Sequence, residues 1–194
     1  MNTRRWLLAL GWLSLSSCSP WTIRPIDQSE NRAFDAAAYV DSIWNARALP
    51  TVAAQSVDFA QWLKSPHSDT APAAVLVKGE GKVLRVDTAS RNGLLLLDLA
   101  PYDSRPDAAI QIGPVIRGTV LRDALPFIQF SQFVNQLEFA RVGNALNDRV
   151  LKAVLSPFSL AGIAGAVVTF SGASSRPSAG ELPEIVPVTL ARKP

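Results

Sequence analysis

The spacing of apolar residues changes period along the chain, and each change predicts a change of element. Residues 34–47 form an alanine-rich run with Val40, Ile43 and Trp44 on one helical face, which predicts a helix. After Leu49-Pro50 a second helical stretch is predicted over 51–64, with Val52, Ser56, Phe59, Ala60 and Leu63 as its stripe. Ser65-Pro66-His67-Ser68-Asp69-Thr70 carries no period and reads as a loop.

The period then shortens. Residues 74–77, 82–86, 94–99 and 109–120 are short β-rich runs, divided by Gly79-Glu80-Gly81, by Arg91-Asn92-Gly93 and by a turn-rich stretch from Pro101 to Pro106. This predicts an antiparallel meander in which Gly79-Glu80-Gly81 is a hairpin turn and Asn92-Gly93 is the strongest hairpin signal. From 123 to 154 helical spacing returns, predicting one long helix with two apolar stripes. Phe127, Phe130, Phe133, Val134, Leu137 and Ala140 form one, and Ile128, Phe139, Val142 and Leu146 the other. Such a helix should be sandwiched between the sheet and the N-terminal helices. Two further strands, 165–171 and 185–191, flank a Gly/Ser/Pro-rich loop over 172–183. The order predicts an α+β fold: an OB-like antiparallel β-barrel with a long helix between strands 3 and 4, plus an N-terminal helical layer.

The start of the chain obeys a different rule. Arg4 and Arg5, the apolar run from Trp6 to Leu15 and the small residues after it read as a signal peptide over 1–17. As a helix that apolar run spans roughly 15 Å, about half of a ~30 Å hydrocarbon core, so it does not predict a transmembrane helix. Leu15-Ser16-Ser17-Cys18 resembles the bacterial lipobox, in which the cysteine sulfur receives diacylglycerol and the new amino terminus an acyl chain such as palmitate. Cys18 is the single cysteine of the sequence and so cannot form a disulfide within it. Ser19 stands where an aspartate would favour retention at the inner membrane, and therefore favours the outer one. Residues 18–31, with Pro20 and Pro25, read as a lipid-anchored tether, and 32–194 as one domain.

Charge changes meaning once the signal is removed. The 19 basic and 16 acidic residues of the whole chain become 17 and 16 without Arg4 and Arg5, so the high isoelectric point is no argument for nucleic acid.

Candidate chemistry is sparse. One histidine and no spare cysteine leave carboxylates as the available metal ligands, and no EF-hand-like loop is present, so no metal or cofactor is expected. Ser65, His67, Ser68 and Asp69 supply triad residue types but crowd into one loop, whereas a triad needs separated elements to aim nucleophile at base. The expectation is a protein without catalytic residues, with a hydrolase as the remaining enzymatic alternative. Trp44 falls at core spacing; Trp62 falls off its stripe and is open to packing or to stacking on a sugar ring.

The stretch GPVIRGTVLRD, Gly113 to Asp123, is the most informative. Strand alternation puts Ile110, Ile112, Ile116 and Val120 on a core face and Gln111, Val115, Arg117 and Thr119 on a mixed face. Arg117, flanked by Gln111 and Thr119, could grip a carboxylate or sugar hydroxyl or form an ordinary surface ion pair. Arg122 is a second unassigned arginine. Asp123 reads as the N-cap of the long helix, accepting from the Leu125 N–H. Asn135 and Asn144 fall within apolar stripes, so each needs a partner, either backbone or ligand.

GPVIRGTVLRDALPFIQFSQFVNQLEFARVGNALN, with AAAYVDSIW near the start, GEGKVLRVD in the middle and IVPVTL at the end, resembles the bacterial predicted periplasmic lipoproteins of unknown function (DUF2291). The resemblance implies a lipobox-anchored protein with an OB-like domain, and genes near those of sugar-uptake ABC transporters. It carries over no catalytic residue. The expected function is therefore a periplasm-facing, membrane-anchored lipoprotein that binds a ligand or partner, such as an ABC transporter or solute-binding protein. A structural or assembly role in the cell envelope is the alternative.

Overall fold

Asp35 opens the helical layer: its carboxylate accepts the Ala37 and Ala38 N–H groups at 3.0 Å and caps α1, Ala36–Ile43. The computed structural model describes residues 34–66, 72–178 and 180–194. The signal segment, Cys18, the tether, His67, Ser68 and Asp69 lie outside the described residues. A π-helical turn, Trp44–Ala48, carries α1 straight into α2, Leu49–Gln55. Pro50 does not separate two helices as expected: it lies in the first turn of α2, directly after the π-turn that joins the two. The predicted second helix breaks instead at Ser56, which turns extended while its hydroxyl donates to Val52 O at 2.6 Å. Val57–Asp58 is a two-residue strand, β1, and Asp58 caps α3, Phe59–Lys64, by accepting from Gln61 N–H at 2.8 Å. Val52, Ser56 and Phe59 are buried as the stripe predicted.

Ala74–Asp87 is one strand of 14 residues, β2, so the expected hairpin at Gly79-Glu80-Gly81 does not form. Glycine serves close approach there: a Cβ on Gly79 would stand 3.1 Å from the Phe170 ring. β3, Leu94–Asp98, follows the Asn92-Gly93 turn, which forms as predicted, with Gly93 N–H donating to Ser90 O at 3.1 Å. β4, Ala108–Gln111, ends nine residues short of Val120, where the predicted run ended, because Gly113 at φ 81° and the donorless Pro114 end the ladder.

The single helix expected over 123–154 is broken. α4 spans Val120–Ala124, a 3₁₀ turn covers Phe130–Gln132, and α5 runs Gln136–Val150 before a closing π-turn, Leu151–Leu155. The cause is Pro126, which disfavours helical geometry at the residue before it; Leu125 sits at ψ 105°. Asp123 is therefore inside α4 and does not cap it; Leu125 N–H goes to Arg122 O instead. α5 keeps Val142, Leu146 and Val150 fully buried, against α1 and α4. Arg149 and Asp41 pair at 2.9 Å between α5 and α1.

β5, Val167–Ser175, and β6, Glu184–Arg192, complete a six-stranded sheet of order β1-β2-β3-β4-β6-β5, with β5 also pairing back to β2. The sheet is mixed and not antiparallel as expected. β1 runs parallel to β2, and β4 parallel to β6 because the chain crosses over through α4, α5 and β5 between them. Adjacent residues feed opposite cores. Leu76, Ala173, Val186 and Val188 meet Val40, Trp44, Leu121 and Leu146 under the helices. Val77, Val83, Leu97, Ile110, Phe170 and Ile185 form a second core with Phe59 and Ile163. Burial pushes the Tyr39 phenol above its ordinary 10.0 against the opposing pull of Arg47. The hydrogen bond to Glu80 raises Lys193 at the rim, with the Glu80 charge adding to it. Among the described residues no helix is long and apolar enough to cross a membrane.

Candidate functional site

The early end of β4 makes a groove. Where Gln111 leaves the ladder, the chain loops through Arg117 and Gly118 into α4, leaving a hollow of about 760 Å³ between this loop, the end of β5 and the start of β6. Three of the residues that the sequence marked out, Gln111, Arg117 and Thr119, line it together.

Gln111 organises the floor. It is only 4 % exposed, its amide oxygen accepts the Arg117 N–H at 2.7 Å, and its Nε2 donates to Glu184 Oε2 at 2.8 Å. The parallel register of β4 with β6, Ile110 beside Ile185, puts Glu184 at that distance. The Ser174 hydroxyl donates to Glu184 O at 2.9 Å and fixes the same residue from β5.

Asn147 holds the loop from behind. Its Nδ2 donates to Gly118 O at 2.9 Å and Ile116 O at 3.3 Å, so α5 grips the residues on both sides of Arg117. Gly118 adopts φ 78°, a left-handed conformation that favours glycine, and lets the chain turn from Arg117 into α4. The Arg117 side chain is left exposed on the groove with no ion-pair partner among the described residues.

The other candidates are placed elsewhere. Arg122 does not line the groove: its Nε and Nη2 donate to Asp123 Oδ1 at 2.8 and 2.6 Å, Nη1 donates to Phe139 O at 3.2 Å, and the guanidinium lies 3.8 Å over the Phe139 ring. It pins α4 to α5. Asp123 completes that arrangement by accepting from the Thr119 hydroxyl at 2.7 Å, and its side chain also borders the groove. Asn135 and Asn144, expected to be buried polar residues, are both exposed. Asn135 caps α5 by accepting from Glu138 N–H at 2.9 Å, and breaking the long helix rotated both out of any apolar stripe. Trp44 is a core residue, 2 % exposed. Trp62 is half-buried beside Phe59, with Arg176 4.9 Å over its ring.

Sequence reasoning missed much of the far wall. Arg176, Glu181 and Glu184 lie in or next to a stretch read only as a Gly/Ser/Pro-rich loop, and the parallel pairing that brings them opposite Gln111 has no local signal. Arg176 is anchored, donating to Ser65 Oγ at 2.7 Å and to the carbonyls of Trp62 and Ser65. The groove thus offers a guanidinium, carboxylates of Glu181, Glu184 and Asp123, and the hydroxyls of Ser175, Ser178 and Thr119. Donors and acceptors of both signs suit a neutral, many-hydroxyl ligand better than a single ion. Among the described residues no three His, Cys, Asp or Glu side chains cluster so as to hold a metal ion.

The family model "Predicted periplasmic lipoprotein (DUF2291)" matches residues 8–191. No curated protein sequence matches the chain. A crystal structure of an OB-fold protein from Thermotoga maritima is similar over 84 % of this chain and 100 % of that one, with a TM-score of 0.65 at 17 % identity. That likeness is one of fold.

Proposed function

The chain belongs to the predicted periplasmic lipoprotein family, and from that premise we propose that it is a non-enzymatic, periplasm-facing lipoprotein anchored through acylated Cys18, whose groove binds a small polyhydroxyl ligand. The observation that carries the reading is the convergence of Arg117, Gln111 and Glu184, joined by hydrogen bonds of 2.7 and 2.8 Å, on a hollow large enough for a mono- or disaccharide. The Gln111 amide and Glu184 carboxylate on a fixed floor, with the exposed Arg117 guanidinium beside them, suit vicinal hydroxyls, which both donate and accept. We read the closed ladder of β2, β3, β4, β6 and β5 as an OB-type barrel whose rim carries this groove, and the protein as an accessory to a sugar ABC uptake system.

A thermal-shift screen of the detergent-solubilised lipoprotein against sugars and cell-wall fragments tests the binding. A stabilising ligand is expected, with the shift abolished in Arg117→Ala while the unliganded midpoint is retained. Absence of any stabilising sugar, or a shift that survives both Arg117→Ala and Glu184→Gln, refutes the assignment of this groove.

A further inference from the structure

We propose that the apolar surface formed by Phe130, Val134 and Leu137 lies on the bilayer that holds the protein's own anchor, so that the domain is seated on the membrane and not only tethered to it. The inference rests on the acylation of Cys18 proposed above.

Breaking the long helix at Pro126 leaves these side chains facing water: Val134 is 88 % exposed, Leu137 60 % and Phe130 49 %. Three large apolar groups within eight residues, the three most exposed large hydrophobic side chains among the described residues, call for a partner. Phe130 itself belongs to a continuous set of rings. Phe130 meets Phe139 at 5.6 Å, Phe139 meets Phe133 at 5.6 Å, and Phe133 meets both Tyr39 at 5.6 Å and Phe34 at 5.5 Å.

Phe34 identifies the occupant. It is the first described residue, and only fifteen residues lie between it and Cys18, a reach of at most about 55 Å fully extended. The ring system carrying the exposed groups is therefore also the place where the chain from the lipid enters the domain. Charge agrees with this. Exposed Arg47 lies 4.1 Å over the Phe127 ring, and exposed Arg141 stands one turn beyond Leu137. Apolar and aromatic groups bordered by arginines match the boundary between acyl chains and anionic headgroups. Asp35, next to Phe34, and Glu138, next to Leu137, are engaged by backbone N–H groups, Ala37 and Ala38 for one and Val134 for the other, and Asp123 is paired with Arg122.

The full-length acylated protein carrying Val134→Cys, its introduced thiol labelled with an environment-sensitive dye, tests this in phosphatidylethanolamine/phosphatidylglycerol vesicles. Arg85→Cys, whose native side chain is 69 % exposed on β2, serves as the control site. The expected result is a blue-shifted Val134 label that loses most of its emission when brominated lipids replace ordinary ones, with the Arg85 label unaffected. A Val134 label as wet as the control on vesicle-bound protein overturns the inference and leaves the anchor intact. A dry label that brominated lipid does not quench also overturns it, by showing protein on the patch, either residues 19–33 or a second copy. Protein that washes off the vesicles refutes the acylation itself, and the inference falls with it.

Discussion

Asn147 decides whether Arg117 stands where a ligand can meet it. Its amide donates to the carbonyls of Ile116 and Gly118, while Gln111 accepts the Arg117 N–H, so three hydrogen bonds fix three consecutive residues of an otherwise irregular loop. Asn147→Ala strips two carbonyls of their partner at a site only 7 % exposed, and should cost about 1–3 kcal/mol. Asn144, one helical turn earlier and exposed, makes no such bond, so Asn144→Ala should stay within about 0.5 kcal/mol. Urea denaturation of the two variants side by side checks this, and equal losses would show that the loop is held by something other than Asn147. The contrast also explains why the sequence pointed to the wrong asparagine. Asn144 shares a face with Leu137 and Ala140 that became an apolar stripe only by adding Phe127, Phe130 and Phe133, which lie outside α5; in α5 itself that face is exposed, and Asn147 lies with Val142, Leu146 and Val150 on the buried side.

At the scale of elements, the N-terminus of α5 rests on a cap that the long-helix reading concealed. Asn135 is fully extended, at φ −156° and ψ 170°, and its side chain takes the Glu138 N–H; Glu138 Oε2 in turn takes the Val134 N–H at 3.1 Å. Asn135→Ala should cost about 0.5–2 kcal/mol and fray the first turn of α5, whereas Asn135→Ser or Asn135→Asp should retain most of the stability. Restoration by either conservative change separates the cap from a general effect of substitution, and a loss unchanged in both would refute it. Elements were legible where a local rule governs them: the Asn92-Gly93 hairpin, the Val40-Ile43-Trp44 face and the buried set Val52, Ser56 and Phe59 all follow from neighbours in sequence. They were illegible where a distant partner governs. Gly79 looks like a turn until Phe170, more than ninety residues on, is seen to need its missing Cβ. Glu184 looks like loop until the parallel partner β4 arrives. Gln111, Arg117 and Thr119 could be read as a site from one strand's alternation, although the strand itself ends at Gln111 and a loop held by Asn147 keeps them together.

Over the whole molecule, the two cores cannot be independent, because single strands supply both. Leu76 enters the core under the helices and its neighbour Val77 enters the other; Val186 and Ile185 divide in the same way on β6. Loss of the helical layer would uncover Leu76, Ala173, Val186 and Val188 on the strands whose opposite faces hold the second core. The helices and the sheet should therefore open as one unit, with the slowest-exchanging amides of α5 and β2 reporting the same free energy. Leu146 is fully buried under the helices and Leu97 fully buried in the other core, so Leu146→Ala and Leu97→Ala should each cost about 2–5 kcal/mol. Each should also lower the protection of α5 and β2 by equal amounts, whichever core carries the cavity. Hydrogen exchange on the two variants measures this directly. If Leu146→Ala lowers protection in α5 while β2 keeps its original value, the helical layer unfolds separately, and the groove between loop and sheet would open without global unfolding. If both fall together, Arg117, Gln111 and Glu184 are held in register for as long as the protein is folded, and the groove is presented preorganised to whatever it binds.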